Sequence, residues 1–278
     1  MMVDRLVRRM LRMELGKITW CSGCPNFSIL NSVRKVVEEL KIKEKVSIAT
    51  GIGCHGKIFD YLDLSGIYCL HGRTLPTMLG MKFGNPNLKV IGFSGDGDCY
   101  AEGMAHFIHN CRYNADMTLI VHNNQTFSLT TGQPTPVSEE NYKDKTMVKG
   151  SFGNTINPIR LALSSGCSFV ARVYALDSEM MNEVLKEAIN HKGFSFVEIL
   201  QPCIVLHDTR EMINKNLYKL NHDRKDIGKA MAKASEWDYN KEGKIGVGVF
   251  YQEKKKCLEE KWDLLSSFMK EGKSWHDK

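Results

Sequence analysis

A chain of 278 residues with 42% apolar residues can bury a substantial core, and its length suits one large α/β domain or two small ones. The net charge of +6, from 38 Lys and Arg against 32 Asp and Glu, is spread along the chain without interleaved aromatics, which argues against a nucleic-acid surface. No apolar run reaches the length of a membrane span, and the lack of a targeting leader predicts a cytoplasmic protein whose nine cysteines stay reduced rather than forming a disulfide framework.

In chain order, Asn26–Leu40 carries Phe27, Leu30, Val33, Val37 and Leu40 on one helical stripe, with Pro25 just inside its start. Val46–Ala49 is an apolar strand that runs into the glycine-rich turn Gly51–Gly56, and Gly66–Leu70 is another, ending at His71. Leu88–Phe93 reads as a buried strand entering Ser94 and Gly95. After Asp98, the spacing of Met104, Phe107, Ile108 and Cys111 predicts a helix beginning near Tyr100. Met117–Val121 is a further strand, ending at Asn123 and Asn124. Asn157–Ser165 and Ser178–Asn190 read as helices, the second opened by a serine cap and followed by the strand Phe194–Leu200. Ile245–Tyr251 is a late strand, and the last twenty residues read as a mobile helix. The charge run Lys254–Lys256, beside Glu253, Glu259 and Glu260, reads as a solvated helix face. Regular alternation of strands and helices predicts one mostly parallel sheet with helices on both faces.

Two constellations carry chemistry. The first is Gly95-Asp96-Gly97-Asp98, separated from Asn123-Asn124 by the 25 residues that follow Gly97. Glycines flanking Asp96 let backbone turn sharply and approach phosphate oxygens. The Asp96 carboxylate and the Asn124 side-chain carbonyl are hard oxygen donors suited to magnesium or calcium, and a helix start near Tyr100 presents free amides to an anion. Both motifs follow strands, at the edge where open parallel sheets bind ligands. The pair therefore describes a divalent metal holding a diphosphate and resembles the thiamine-diphosphate signature. The second constellation is Cys21 and Cys24 in Trp20–Pro25, Cys54 in Gly51–Cys54, and Cys203 in Gln201–Cys203. Four thiolates suit tetrahedral zinc or an iron–sulfur cluster, and spacing leaves both open. Cys69, Cys99, Cys111, Cys167 and Cys257 read as small buried hydrophobes or inert thiols.

Together these residues resemble the beta subunits of the 2-oxoacid:ferredoxin oxidoreductases. The matching segments, in the family's order, are Trp20–Phe27, Gly51–Cys54, His71–Arg73, Gly95–Asp98, Asn123–Gln133, Asn157–Ala162 and Gln201–Cys203, within a resemblance running from about residue 15 to about residue 252. The resemblance implies a thiamine-diphosphate-binding α/β fold over residues 1–203 and a C-terminal extension over 204–278 that meets a partner or crosses the cluster. It implies one [4Fe-4S] cluster on Cys21, Cys24, Cys54 and Cys203, and magnesium on Asp96, Asn124 and the main-chain carbonyl of Thr126. Cofactor contacts would come from Ile52, Gly53, Cys54, His55, His71, Gly97, Asp98, Ser128 and Leu129. Lys57, Arg73 and Leu129 are candidates for substrate contact, although Arg73 would equally brace its loop. The implied activity is oxidative decarboxylation of a 2-oxoacid to an acyl-coenzyme A, with electrons passing through the cluster to ferredoxin. In the family the glutamate that activates the aminopyrimidine ring is supplied by the alpha subunit, so this chain would act only with that partner. The run Lys254–Lys256 would offer an acidic ferredoxin a minor docking surface.

The chain departs from the family at Thr131, where a lysine or glycine is frequent, and at Ser22 and Pro25, which remove no ligand. His122 before the Asn pair is also unusual and has no role in the sequence reading. Two rival readings share the same motifs: a non-oxidative thiamine enzyme with structural zinc, and an electron-transfer module without turnover. The particular oxoacid is not legible.

Overall fold

The computed structural model describes residues 18–240 and 243–277. The start of the expected first domain, residues 1–17, lies outside the described residues, as does Lys278.

Eight strands form the main sheet: β1 (Val46–Thr50), β2 (Ser65–Tyr68), β3 (Lys89–Gly95), β4 (Met117–Asn123), β7 (Phe169–Tyr174), β8 (Phe194–Leu200), β9 (Leu217–Lys219) and β10 (Ile245–Gln252). Their spatial order is β2-β1-β3-β4-β8-β7-β10-β9, and every neighbouring pair is parallel except β10 with β7. A small antiparallel hairpin, β5 (Thr126–Phe127) and β6 (Gln133–Pro134), lies apart from it.

The central strands are near-continuous apolar runs because helices cover both faces. β4 and β8 are buried along their whole length. Alternate side chains feed two cores: Leu119, Val121, Phe194 and Phe196 enter one, and Ile120, Val197 and Ile199 the other. The second core is closed by α1 (Asn26–Glu39), whose Ile29, Leu30, Val33 and Val36 point inward, and by α5 (Ser178–Asn190). The first core is closed by α2 (Thr74–Gly84), α3 (Met104–Tyr113), α4 (Pro158–Ser164) and α7 (Ile227–Ala234). A short helix α6 (Arg210–Asn216) leads into β9.

The architecture agrees with the sequence reading, and several local expectations change. The α5 cap is Asp177, whose carboxylate accepts the Met180 amide at 3.0 Å, because Ser178 is already in the first turn. Pro25 stands at the N-cap of α1, not inside it. The segment after Asp98 is a π-helical turn, Asp98–Glu102, and the α-helix starts only at Met104. β2 ends at Tyr68 and is an exposed edge strand, with Ile67 and Tyr68 open to solvent. Lys254–Lys256 lies in the connection after β10, not on a helix.

The C-terminal stretch is packed. β10 inserts beside β7, and α8 (Leu258–Lys261) and α9 (Asp263–Glu271) follow it. Glu259 is fully buried, accepts the Asp116 amide at 3.0 Å and faces Lys82 Nζ at 3.6 Å, while Leu265 and Phe268 are buried. The expected mobile helix is thus two short helices anchored to the sheet.

Candidate functional site

The chain reverses direction across the sheet between β1 and β3. After β1 it passes to the face carrying Ile58 and Tyr61, and after β3 to the opposite face carrying Phe107 and Cys111. That is a topological switch point, where an open parallel sheet leaves a crevice at its carboxyl edge. A cavity opens there, walled by the loops that follow β1, β2, β3, β4 and β8. All twelve residues expected to hold diphosphate or metal line it: Ile52, Gly53, Cys54, His55, His71, Asp96, Gly97, Asp98, Asn124, Thr126, Ser128 and Leu129.

Asp96 is buried, and its Oδ2 accepts the Thr135 hydroxyl at 2.5 Å. Burial pushes its carboxyl up to about 7, against the Thr135 and backbone hydrogen bonds, with the nearby Glu198 adding to the rise. A carboxylate so poorly solvated is one that a hard cation would stabilise. Asn124 Oδ1 accepts the Thr126 amide at 3.1 Å, and its Nδ2 donates to Ser128 Oγ at 3.1 Å and Gln201 Oε1 at 3.3 Å. Asp96, Asn124 and the Thr126 carbonyl therefore form an oxygen-rich donor set that fits magnesium.

Asp98 lines the cavity and is also held to the loops around it. Its Oδ1 accepts the Gly72 amide at 2.7 Å and the Ile52 amide at 3.3 Å, Oδ2 accepts the Ser94 hydroxyl, and His55 Nε2 lies 3.5 Å away. Burial alone would raise its pKa, yet His55, the Gly72 amide and Ser94 outweigh it and hold the carboxyl below its ordinary value. Asp98 ties three loops together from beneath the cavity. Gly51 must lack a side chain for this, since a Cβ there would stand 1.9 Å from Asp98 Oδ2. At Gly97 the missing side chain makes room for the Phe127 ring, which a Cβ would meet at 2.2 Å.

The remaining expected residues divide. His71 sits at the mouth, with Nδ1 3.1 Å from Glu102 Oε2. Arg73 braces its loop through the carbonyls of Gly72 and Glu102, each at 3.2 Å. Lys57 does not line this cavity and donates instead to the Thr19 carbonyl at 3.3 Å on the cysteine side. His122 gains a structural role: its Nδ1 is 2.7 Å from Asn26 Oδ1, joining β4 to α1, and burial, with His55 nearby, pushes its imidazole well below the ordinary value. Thr135 and Phe127 belong to the site without carrying any motif of their own, so the sequence gives them no role.

A second cavity of ≈ 560 Å³ gathers Cys21, Cys24, Cys54 and Cys203, all unpaired, under Ile204, Val205 and Leu206. Cys54 is placed by Trp20 Nε1, which donates to its carbonyl at 2.7 Å. Burial pushes the Cys24 thiol up to about 11, and Cys54, Cys203 and Cys21 each add to the rise. Burial also raises Cys54, against the Ser128 hydroxyl and Lys57. Among the described residues no three His, Cys, Asp or Glu side chains are drawn together as a single-ion site. The four cysteines nonetheless line one cavity, a thiol donor set whose chemistry suits an iron–sulfur group, with Ser128 Oγ donating to Cys54 Sγ at 3.3 Å and Gln201 Nε2 to Cys24 Sγ at 3.8 Å. Cys54, Asn124, Ser128 and Gln201 line both cavities and form the wall between them.

Residues 51–199 match the family described as thiamine pyrophosphate enzyme, C-terminal TPP binding domain. Residues 206–267 match the C-terminal family of the pyruvate ferredoxin oxidoreductase beta subunit. The chain is 41% identical over 251 residues to the 2-oxoacid:ferredoxin oxidoreductase subunit beta of Saccharolobus solfataricus, covering 84% of this chain and 81% of that one. It belongs to the beta subunits of the 2-oxoacid:ferredoxin oxidoreductases. The 2-oxoglutarate synthase subunit KorB of Archaeoglobus fulgidus is 39% identical over 69% of this chain and 72% of its own. Among solved structures, the 2-oxoglutarate:ferredoxin oxidoreductase from Magnetococcus marinus, with 2-oxoglutarate, coenzyme A and succinyl-CoA bound, superposes with a TM-score of 0.85 at 30% identity, covering 93% of this chain and 89% of that chain. As a beta subunit, the chain is part of a larger enzyme. No helix among the described residues is long and apolar enough to cross a membrane.

Proposed function

We propose that this beta subunit binds thiamine diphosphate and magnesium in the switch-point cavity and a [4Fe-4S] cluster on Cys21, Cys24, Cys54 and Cys203. With an alpha subunit it converts a 2-oxoacid, coenzyme A and oxidised ferredoxin to acyl-coenzyme A, carbon dioxide and reduced ferredoxin. The observation that carries this reading is the shared wall: Cys54, Asn124, Ser128 and Gln201 face the diphosphate cavity on one side and the thiols on the other.

When bound, thiamine diphosphate supplies an electron sink for decarboxylation, and the cluster a one-electron acceptor beside it. The chain's own residues do the holding. Asp96, Asn124 and the Thr126 carbonyl would hold a cation that neutralises the diphosphate. Asp98 fixes the Ile52 and Gly72 loops around it. Ser128 joins the two sites, accepting from Asn124 and donating to the Cys54 sulfur. Ile204, Val205 and Leu206, at the start of the C-terminal part, form an apolar edge of the thiol cavity. The acid group that acts on the aminopyrimidine ring is assigned to the alpha subunit. Lys57, on the cysteine side, gives no preference for a dicarboxylic substrate.

The test is iron and sulfide analysis with electron paramagnetic resonance on anaerobically purified protein, followed by 2-oxoacid-dependent ferredoxin reduction with the alpha subunit. About four irons and four sulfides per chain and a reducible cluster signal are expected. One zinc without sulfide removes the electron-transfer step and leaves a non-oxidative thiamine enzyme.

A further inference from the structure

Behind the metal loop lies a fully buried charged network that the proposed function leaves unused. Arg172 on β7 and Glu198 on β8 face each other in register, and Arg172 Nε donates to Glu198 Oε2 at 2.7 Å. Tyr239, from the C-terminal part, donates its hydroxyl to Glu198 at 2.7 Å and accepts from Arg172 Nη2 at 2.7 Å. The guanidinium also stacks over Trp237, 5.1 Å from the ring centre. Asn123 completes the set, with Nδ2 donating to Glu198 Oε1 at 2.8 Å.

Buried ion pairs are poor sources of stability, because removing two ions from water offsets their attraction. The network's position suggests another use. Asn123 Oδ1 accepts the amide of Gln125 at 3.1 Å, and Gln125 carries φ 59°, a left-handed conformation strained for any residue with a Cβ. Gln201 donates its amide to the Asn123 carbonyl at 2.7 Å. Asn124 therefore sits between a residue clamped to the sheet and a residue forced into a left-handed turn.

Taking the magnesium and thiamine diphosphate assignment as its basis, we propose that Glu198, Arg172 and Tyr239 are positioning residues for the metal site: they fix Asn123, and Asn123 fixes the turn that presents the Asn124 side-chain carbonyl to the cation. The C-terminal part, through Tyr239, thereby sets the cofactor affinity of the N-terminal part.

The test uses the complex with the alpha subunit and the variants Tyr239→Phe and Asn123→Ala. Magnesium-dependent binding of thiamine diphosphate is measured by calorimetry, manganese binding by electron paramagnetic resonance, and thermal unfolding alongside. Tyr239→Phe, which keeps the ring over Arg172, should weaken magnesium binding about 3- to 10-fold, since the hydroxyl's bonds to Glu198 and from Arg172 are both lost. Its apparent KM for magnesium–thiamine diphosphate should rise accordingly while kcat at saturation stays within about twofold. Asn123→Ala should weaken magnesium binding about tenfold or more, with the cysteine-site absorbance unchanged in both. If Asn123→Ala does not fold, Tyr239→Phe decides alone. Unchanged magnesium affinity with a lowered Tm makes the network structural only and overturns the proposal. A wild-type complex that binds no thiamine diphosphate with magnesium overturns the basis as well.

Discussion

Asp98→Asn is the substitution whose cost the structure fixes best. The side chain keeps its shape and loses its charge. Asp98 accepts strong hydrogen bonds from the Gly72 amide and the Ser94 hydroxyl and a longer one from Ile52 at 3.3 Å. Bonds to a charged group contribute about 1.5–3 kcal/mol each, and the asparagine carbonyl can still accept one neutral bond at about 1 kcal/mol. Two strong bonds lost and one weak bond retained give a net loss of about 2–5 kcal/mol. In a domain of this size each kcal/mol lowers Tm by about 2–4 °C, so a fall of about 4–20 °C is expected at pH 7. The pH dependence follows from the depressed pKa. A carboxylate held below its unfolded value stabilises the fold above about pH 4, and that stabilisation disappears as pH falls through the folded value. Thermal unfolding of wild type and variant should therefore differ at pH 7, begin to approach at about pH 4 and converge only as pH falls through the lower folded value. Equal Tm values at pH 7 would refute the account of Asp98 as the tie between three loops.

Lys82→Met, which breaks a pair buried on both sides with Glu259, should cost about 3–5 kcal/mol, whereas Lys186→Met, which removes a half-exposed partner of Glu39, should cost less than about 1 kcal/mol; chemical denaturation of the two variants separates them. His122, neutral when buried, binds its proton more readily unfolded, so wild-type stability should fall as pH drops below about 6.5, and His122→Gln should flatten that decline in a pH series of Tm values. Ser128→Ala removes the hydroxyl that donates to Cys54 Sγ at 3.3 Å and should lower the cluster's reduction potential, by about 40 mV for a bond of about 1 kcal/mol, in a redox titration followed by electron paramagnetic resonance. Cys203→Ser should abolish most of the visible absorbance while leaving magnesium–thiamine diphosphate binding within about threefold, because Cys203 does not line the diphosphate cavity.

The strands that build the site are the legible ones. β3, β4 and β8 are short, mostly apolar runs that end in glycine, Asn-Asn and Gln-Pro, so both position and chemistry stand in the sequence. β7 has no such motif at its end to mark it, and its buried Arg172 is explained only by the Glu198 carboxylate across the ladder. α2 escapes the pattern because Pro76, Gly80 and a fully buried Lys82 blur any amphipathic stripe. Lys82 is tolerated through contacts with the Pro86 and Leu88 carbonyls and Glu259, the last from far along the chain. Residue types at the site are legible, but division of labour is not. Asp98 looks like a phosphate-site residue in sequence, yet its lone pairs are committed to backbone amides from loops 26 and 46 residues away. Such long-range pairings leave no local pattern.

The adjacency of the two cavities follows from strand order. β4 and β8 are neighbours in the sheet, although 77 residues separate Asn124 from Gln201 just beyond their carboxyl ends. The Asn123 carbonyl accepts the Gln201 amide at 2.7 Å, which continues the ladder one residue past the strands. That single extra bond sets Gln201 against Asn124 and leaves Cys203 two residues further on, over the thiol cavity. β1, two places away, delivers Cys54 from the other side of the switch point. The two cavities thus share a wall without any segment devoted to joining them. Register along one sheet edge is enough, and a one-residue slip of β8 against β4 would turn Gln201 to the other face and away from Asn124.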